Sequence, residues 1–182
     1  MEALQNVGVF LVQTLFSLYI GAVLIRFLLA LSRANFYNPL SQFLVKITNP
    51  VLVPLRRLIP AIGKLDTAAI VLALGLKVIQ VLLLVALQGS DASLPVVLVY
   101  AVVDLLRTVI NIYIFALIIQ AVLSWVGNSY GNPLADVLHS LTDPLLRPIR
   151  NVVPTIGMVD LSPMVAILLL YVVLIVLQSV GL

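Results

Sequence analysis

Thr142-Asp143-Pro144-Leu145-Leu146-Arg147-Pro148-Ile149-Arg150 repeats the earlier stretch Thr48-Asn49-Pro50-Val51-Leu52-Val53-Pro54-Leu55-Arg56, 94 residues upstream and without a gap. The correspondence extends outward on both sides. Asn38-Pro39-Leu40 becomes Asn132-Pro133-Leu134, and Pro60, Ile62, Gly63 and Asp66 become Pro154, Ile156, Gly157 and Asp160. With Leu44 and Leu138 this makes 13 identities over the 29 positions 38–66. Proline and glycine each impose a particular backbone geometry, so their recurrence in register marks a duplicated element. The chain reads as two tandem repeats, 1–90 and 91–182.

The sequence around these stretches decides the solvent. Of 182 residues, 63% are hydrophobic and 9% charged, whereas soluble domains hold ~45–50% apolar and ~25% charged residues. Four long apolar runs stand out, Val7 to Ser32, Thr67 to Gln88, Leu94 to Val126 and Leu161 to Leu182. Each reaches the roughly 20 residues that a bilayer crossing needs, and in lipid a continuous run of this length must be a helix. The expected fold is an all-α membrane protein. Its four transmembrane helices, at about 7–32, 67–88, 97–126 and 161–181, form two parallel helix–interfacial element–helix repeats. Two spans per repeat is an even number, so both repeats enter the membrane in the same sense, about an axis along its normal. The first run lacks the basic flank of a secretory signal and reads as a retained span.

Arg33, Lys46, Arg56, Arg57 and Lys64 lie in the first connection, 33–66, and Arg147 and Arg150 in the second, 127–160. The termini and the loop 89–93 carry no Lys or Arg. The positive-inside rule then places both connections in the cytoplasm and both termini outside.

Within the first connection Leu40, Phe43, Leu44 and Ile47 follow helical periodicity, as do Leu134, Val137, Leu138 and Leu141 in the second. Asn38 and Asn132 suit N-caps, and Pro39 and Pro133 the first turn. Residues before proline avoid the helical region, so a break is expected at Asn49-Pro50 and at Asp143-Pro144. A second short helix then follows, distorted by Pro54 or Pro148 and ended by Pro60 or Pro154. Gly63 and Gly157 let the chain turn, and Asp66 and Asp160 cap the returning spans. Each connection is thus expected to be two short amphipathic helices at the interface. A shallow re-entrant hairpin is the alternative, disfavoured because each buried arginine costs on the order of 2.5 kcal/mol or more.

Phe36-Tyr37-Asn38-Pro39, Pro54-Leu55-Arg56-Arg57-x-x-Pro60 and Asp143-Pro144-Leu145-Leu146-Arg147-Pro148-Ile149-Arg150, with Pro154-x-x-Gly157-x-x-Asp160-x-Ser162-Pro163 after them, resemble the YggT family. The resemblance spans essentially the whole chain. It implies a multi-pass bacterial inner-membrane protein of two such repeats, with general links to osmotic tolerance, cell division or nucleoid distribution, and assembly of membrane complexes. The first repeat departs from the second in Lys64 and Thr67-Ala68-Ala69, where the second has Met158 and Leu161-Ser162-Pro163.

Ionisable residues inside spans are functional candidates, here Arg26, Lys77, Asp104 and Arg107. Lys77 falls near mid-span. If the third span begins near Val96, Asp104 lies at matching depth and can pair with Lys77. If it begins near Ala101, Asp104 and Arg107 are solvated at the outer boundary. Arg26 lies close enough to its helix end to snorkel. Arg56, Arg57, Arg147 and Arg150 fix topology and touch lipid phosphates, or dock an acidic partner. Ser17-x-x-x-Gly21 is a weak helix-packing motif.

The absence of cysteine removes thiol and disulfide chemistry. The single histidine, His139, has no metal-ligand neighbours at suitable spacing. A net charge of +3 is too small for a nucleic-acid binder. No cofactor is implied. The expected role is a non-enzymatic organiser of membrane components, contacting anionic headgroups and a membrane or cytoplasmic protein. The alternative is a small ion or solute transport subunit, which at this size would need a homo-oligomer.

Overall fold

The computed structural model describes residues 2–126, 131–153 and 160–180. These hold six helices, α1 (Glu2–Leu31), α2 (Pro39–Leu58), α3 (Thr67–Gln88), α4 (Leu94–Val126), α5 (Pro133–Arg150) and α6 (Ser162–Val180). Among the described residues four helices, α1, α3, α4 and α6, are long and apolar enough to cross a membrane. The first begins five residues earlier than the apolar run suggested, because Glu2 to Asn6 extend the same helix beyond the lipid-compatible sequence.

Each repeat is a three-helix unit. Helix α1 packs along α3, α4 along α6, and α2 and α5 lie across the same end of their pairs. The pairs are antiparallel, since Gln5 at the start of α1 donates to the carbonyl of Leu87 at the end of α3. Both connecting helices therefore occupy one end of the bundle, the connection end, and the link between repeats occupies the other. That link is tight. Gly89 adopts φ 64°, its N–H bonds the carbonyl of Ala86, and Ser90 N–H bonds that of Val85. This is the Schellman pattern, in which a left-handed residue is cheapest as glycine.

The cores are short-range and apolar. Ile20, Val23 and Leu24 of α1 meet Leu52 of α2 and Ala68, Ala69 and Ala73 of α3. A second cluster joins the repeats, with Leu28 and Leu29 of α1 against Ala116 of α4 and Val137, Leu138 and Leu141 of α5. Exposed Leu, Val, Ile and Phe along all four long helices need no burial in protein where the surrounding solvent is hydrocarbon.

The connections differ from the two short helices that proline spacing suggested. Each is one continuous helix, with Pro50 and Pro54 inside α2 and Pro144 and Pro148 inside α5. An interior proline costs roughly 3 kcal/mol relative to alanine, so packing must compensate. The inward face runs unbroken through the prolines, from Ser41 and Leu44 to Thr48, Leu52 and Leu55, with Ser41, Thr48 and Leu52 fully buried. In α5 the matching residues Leu138, Thr142 and Leu146 are buried, as is Leu141 beside them. All four prolines are exposed. They sit one turn apart on the outward side, so the carbonyls they leave unbonded also face away from the core.

Candidate functional site

The helix ends explain how polar side chains reach their places. Asn38 accepts from Leu40 N–H and Asn132 from Leu134 N–H, at 2.9 and 3.0 Å, with Pro39 and Pro133 in the first turn. Asn38 does more than its counterpart, donating Nδ2–H to the carbonyl of Pro133 at 2.8 Å and tying the two connecting helices together. Asp66 accepts from Ala69 N–H, and Asp160 from Ser162 N–H. Gly63, at φ 61°, forms the turn before Asp66. Pro60 precedes that turn, and its carbonyl accepts from the Thr67 hydroxyl. Pro154 and Gly157 lie outside the described residues.

The two aspartates also receive the repeated arginines. Arg56 grips Asp66 through both Nε and Nη2. Arg150 holds Asp160 at 3.0 Å and Asp143 at 3.2 Å, while Arg147 pairs with Asp143 at 2.6 Å. Each connecting helix is thereby stapled by its last turn to the cap of the next span. Partial desolvation alone would raise the Asp160 carboxyl. Hydrogen bonds from Ser162 and Arg150, and the Arg150 charge, outweigh it and hold the group below its ordinary value.

A second contact recurs in both repeats with different chemistry. Arg26, 6% exposed, donates to the Thr48 hydroxyl at 2.5 Å, and Thr48 donates to the Leu44 carbonyl. At the equivalent place Thr142 donates to the Gln120 side-chain carbonyl. Gln120 is Arg26 advanced by 94 residues. The apolar reading of the spans passes over Gln120, although the repeat offset alone points to it.

Deeper in the bundle, Lys77 of α3 pairs with Asp104 of α4 at 2.6 Å, with the lysine side chain 6% exposed and the aspartate 27%. Lys77 stands 10 residues from the start of a 22-residue helix. At ~1.5 Å per residue this is near the middle of a hydrocarbon layer of ~30 Å. The long α4, starting at Leu94, is what brings Asp104 to that depth. Arg107 lies one turn beyond and donates to the Leu177 carbonyl of α6 at 3.0 Å. Gln80, a turn beyond Lys77, reaches the Gln13 carbonyl and the Ser17 hydroxyl at 3.3 Å each. Ser17 thus serves as a polar contact. Gly21 meets nothing within 4 Å, so the pair does not form a close helix crossing.

The remaining cations are distributed unequally. Arg33, Lys46, Arg57 and Lys64 are exposed, and among the described residues none stands within 4 Å of a carboxylate. All four belong to the first connection. Between α1, α3 and α4 lies an apolar cavity of about 240 Å³, bordered by Leu24, Phe27, Ala73, Leu105 and Val109 among others. Its described lining is wholly hydrocarbon and offers no reacting group. Among the described residues no three His, Cys, Asp or Glu side chains gather as metal ligands.

Comparison with known proteins places this arrangement. A Pseudomonas aeruginosa protein is 40% identical over 93% of this chain and 87% of its own. The Escherichia coli protein named YggT is 39% identical over 93% of this chain and 88% of its own. A shorter relative, ycf19 of Guillardia theta, is 33% identical over 75 residues, 40% of this chain and 81% of its own length. No solved structure matches. The CCB3/YggT family model matches twice in tandem, over residues 5–87 and 99–181, consistent with two copies of one three-helix unit. With four apolar spans and two tandem matches covering nearly all of it, the chain is an integral membrane protein that belongs to the CCB3/YggT family.

Proposed function

We propose that the protein is a non-enzymatic organiser of other membrane components, acting through the two connecting helices as amphipathic platforms on the cytoplasmic surface of the bacterial inner membrane. One observation carries the reading. Both platforms are fastened to their spans by repeated contacts, the buried threonines and the Arg–Asp staples, so their outward faces are held in fixed register. Rigid, paired surfaces suit assembly better than chemistry. Arg56 and Arg150 serve this fastening, Arg147 is paired within α5 to Asp143, and Arg57 remains available on the surface. Osmotic tolerance and cell division are roles to which an assembly factor of this type can contribute.

Photo-crosslinking in intact cells tests it. A photoreactive residue at Phe43 of α2 or His139 of α5, both exposed, is expected to trap the same integral membrane protein from both platforms. Adducts only to lipid would sink the reading. The Lys77–Asp104 pair near mid-membrane supports a second reading, ion transport by an oligomer. Ion flux in proteoliposomes that disappears in Lys77→Leu would favour it, and flux equal to protein-free vesicles would dismiss it.

A further inference from the structure

The duplication supplies an internal control, because two units with the same backbone plan have diverged in charge. Six of the seven cations of the first repeat face a neutral residue in the second, Arg56 alone being kept as Arg150, while in the other direction Arg107 and Arg147 face Gln13 and Val53. Arg26 answers to Gln120, Lys46 to Ser140 and Arg57 to Asn151. The second repeat has instead acquired acids. Asn49 answers to Asp143, which neutralises Arg147 and shares Arg150 with Asp160. The first connection holds five basic residues and one acidic residue, Asp66. The second holds two basic residues and three acidic ones, Asp136, Asp143 and Asp160. The Gln120–Thr142 contact does without charge what Arg26 does with it, and Arg33, Lys46, Arg57 and Lys64 pair with no carboxylate among the described residues.

Their placement identifies the ligand. Lys46 and Arg57 are 11 residues apart in α2, three turns, on the same exposed stripe. Lys64 sits at the tip of the turn closed by the paired Ile62 and Leu65. Large apolar side chains are interleaved with them, Phe43 at 60% exposed, Leu58 at 79% and Ile62 at 70%. At the second repeat the equivalent of Phe43 is Val137, which is buried, while that of Leu58 is Val152, equally exposed but beside the neutral Asn151 instead of a cation. Cations beside protruding hydrocarbon match the boundary between phosphate headgroups and acyl chains. An acidic protein surface would supply the charge complement and leave the apolar groups unmatched.

We propose that the first connection is a binding surface for anionic phospholipid headgroups and that the second is not, so the protein holds acidic lipid on one flank only.

Full-length protein in phosphatidylcholine nanodiscs, probed with spin-labelled phosphatidylglycerol and spin-labelled phosphatidylcholine, tests it without any other protein present. Lys46→Ser and Arg57→Asn install the residues of the second repeat. Each is expected to lower the selectivity for phosphatidylglycerol several-fold, up to about fivefold per cation, and high salt should abolish the preference. Arg147→Gln removes the same formal charge from the other repeat and should leave selectivity unchanged. Equal losses in Arg57→Asn and Arg147→Gln would overturn the proposal in favour of a net-charge effect. No loss in Lys46→Ser and Arg57→Asn, with unaltered thermal unfolding, would overturn it outright.

Discussion

Lys77 shows how much depends on a single partner. An ion pair near mid-membrane is tolerable because each charge answers the other. Removing one leaves the second uncompensated. Lys77→Leu is expected to destabilise the protein by about 3 kcal/mol, measured by unfolding in mixed micelles. Lys77→Leu with Asp104→Leu should recover most of the loss, because no orphan carboxylate remains. Arg26 behaves differently. Its repeat partner shows that a neutral amide can meet the threonine, so Arg26→Gln should cost less than about 1 kcal/mol. Thermal unfolding of that variant checks it. The charged residues themselves were legible in the sequence. Their partners were legible only as alternatives, since Asp104 pairs with Lys77 or is solvated at the outer boundary according to where α4 begins.

The connecting helices carry the clearest lesson at the next scale. Local rules place a break at Pro50 and Pro144, and tertiary packing overrides them because the inward stripe from Leu44 to Leu55 stays in one helical register. The caps at Asn38 and Asn132 were legible, since side chain, spacing and following proline all agree. The bond from Asn38 to Pro133 was not, because it depends on how the repeats dock. Asn38→Ala should therefore cost more than Asn132→Ala. The second loses only a cap, about 1 kcal/mol, and the first also loses a contact between repeats, which calorimetry of both variants would reveal. The Arg150–Asp160 staple gives a pH dependence. Asp160 titrates below its ordinary value of 3.8, so its contribution is complete above that value and is lost as the pH falls below it. Asp160→Asn should flatten the acid limb of a stability-versus-pH curve.

Across the whole molecule the duplication was the most legible feature, because it needs only residue identity at a constant offset. Four spans followed from composition, for the reason that lipid permits few structures. The difference between repeats was present in the sequence as well, but Arg56, Arg147 and Arg150 read there as surface charge. Only the pairing with Asp66, Asp143 and Asp160 shows which cations remain available. The chain contains no cysteine, so single substitutions report topology cleanly. Arg57→Cys should react with an impermeant maleimide only from the cytoplasmic side, and Ser90→Cys only from the periplasmic side. The reverse pattern would invert the proposed orientation.

The five residues from Gly89 to Ser93 have a consequence beyond joining two helices. A chain of one hairpin that builds the same bundle must serve as its own mate, so every acid or base at the seam would appear twice. Here the counterparts of Lys77 and Asp104 are Tyr171 and Phe10. Joining the copies end to end releases each from self-complementarity, and a division of labour between unlike halves becomes open to natural selection.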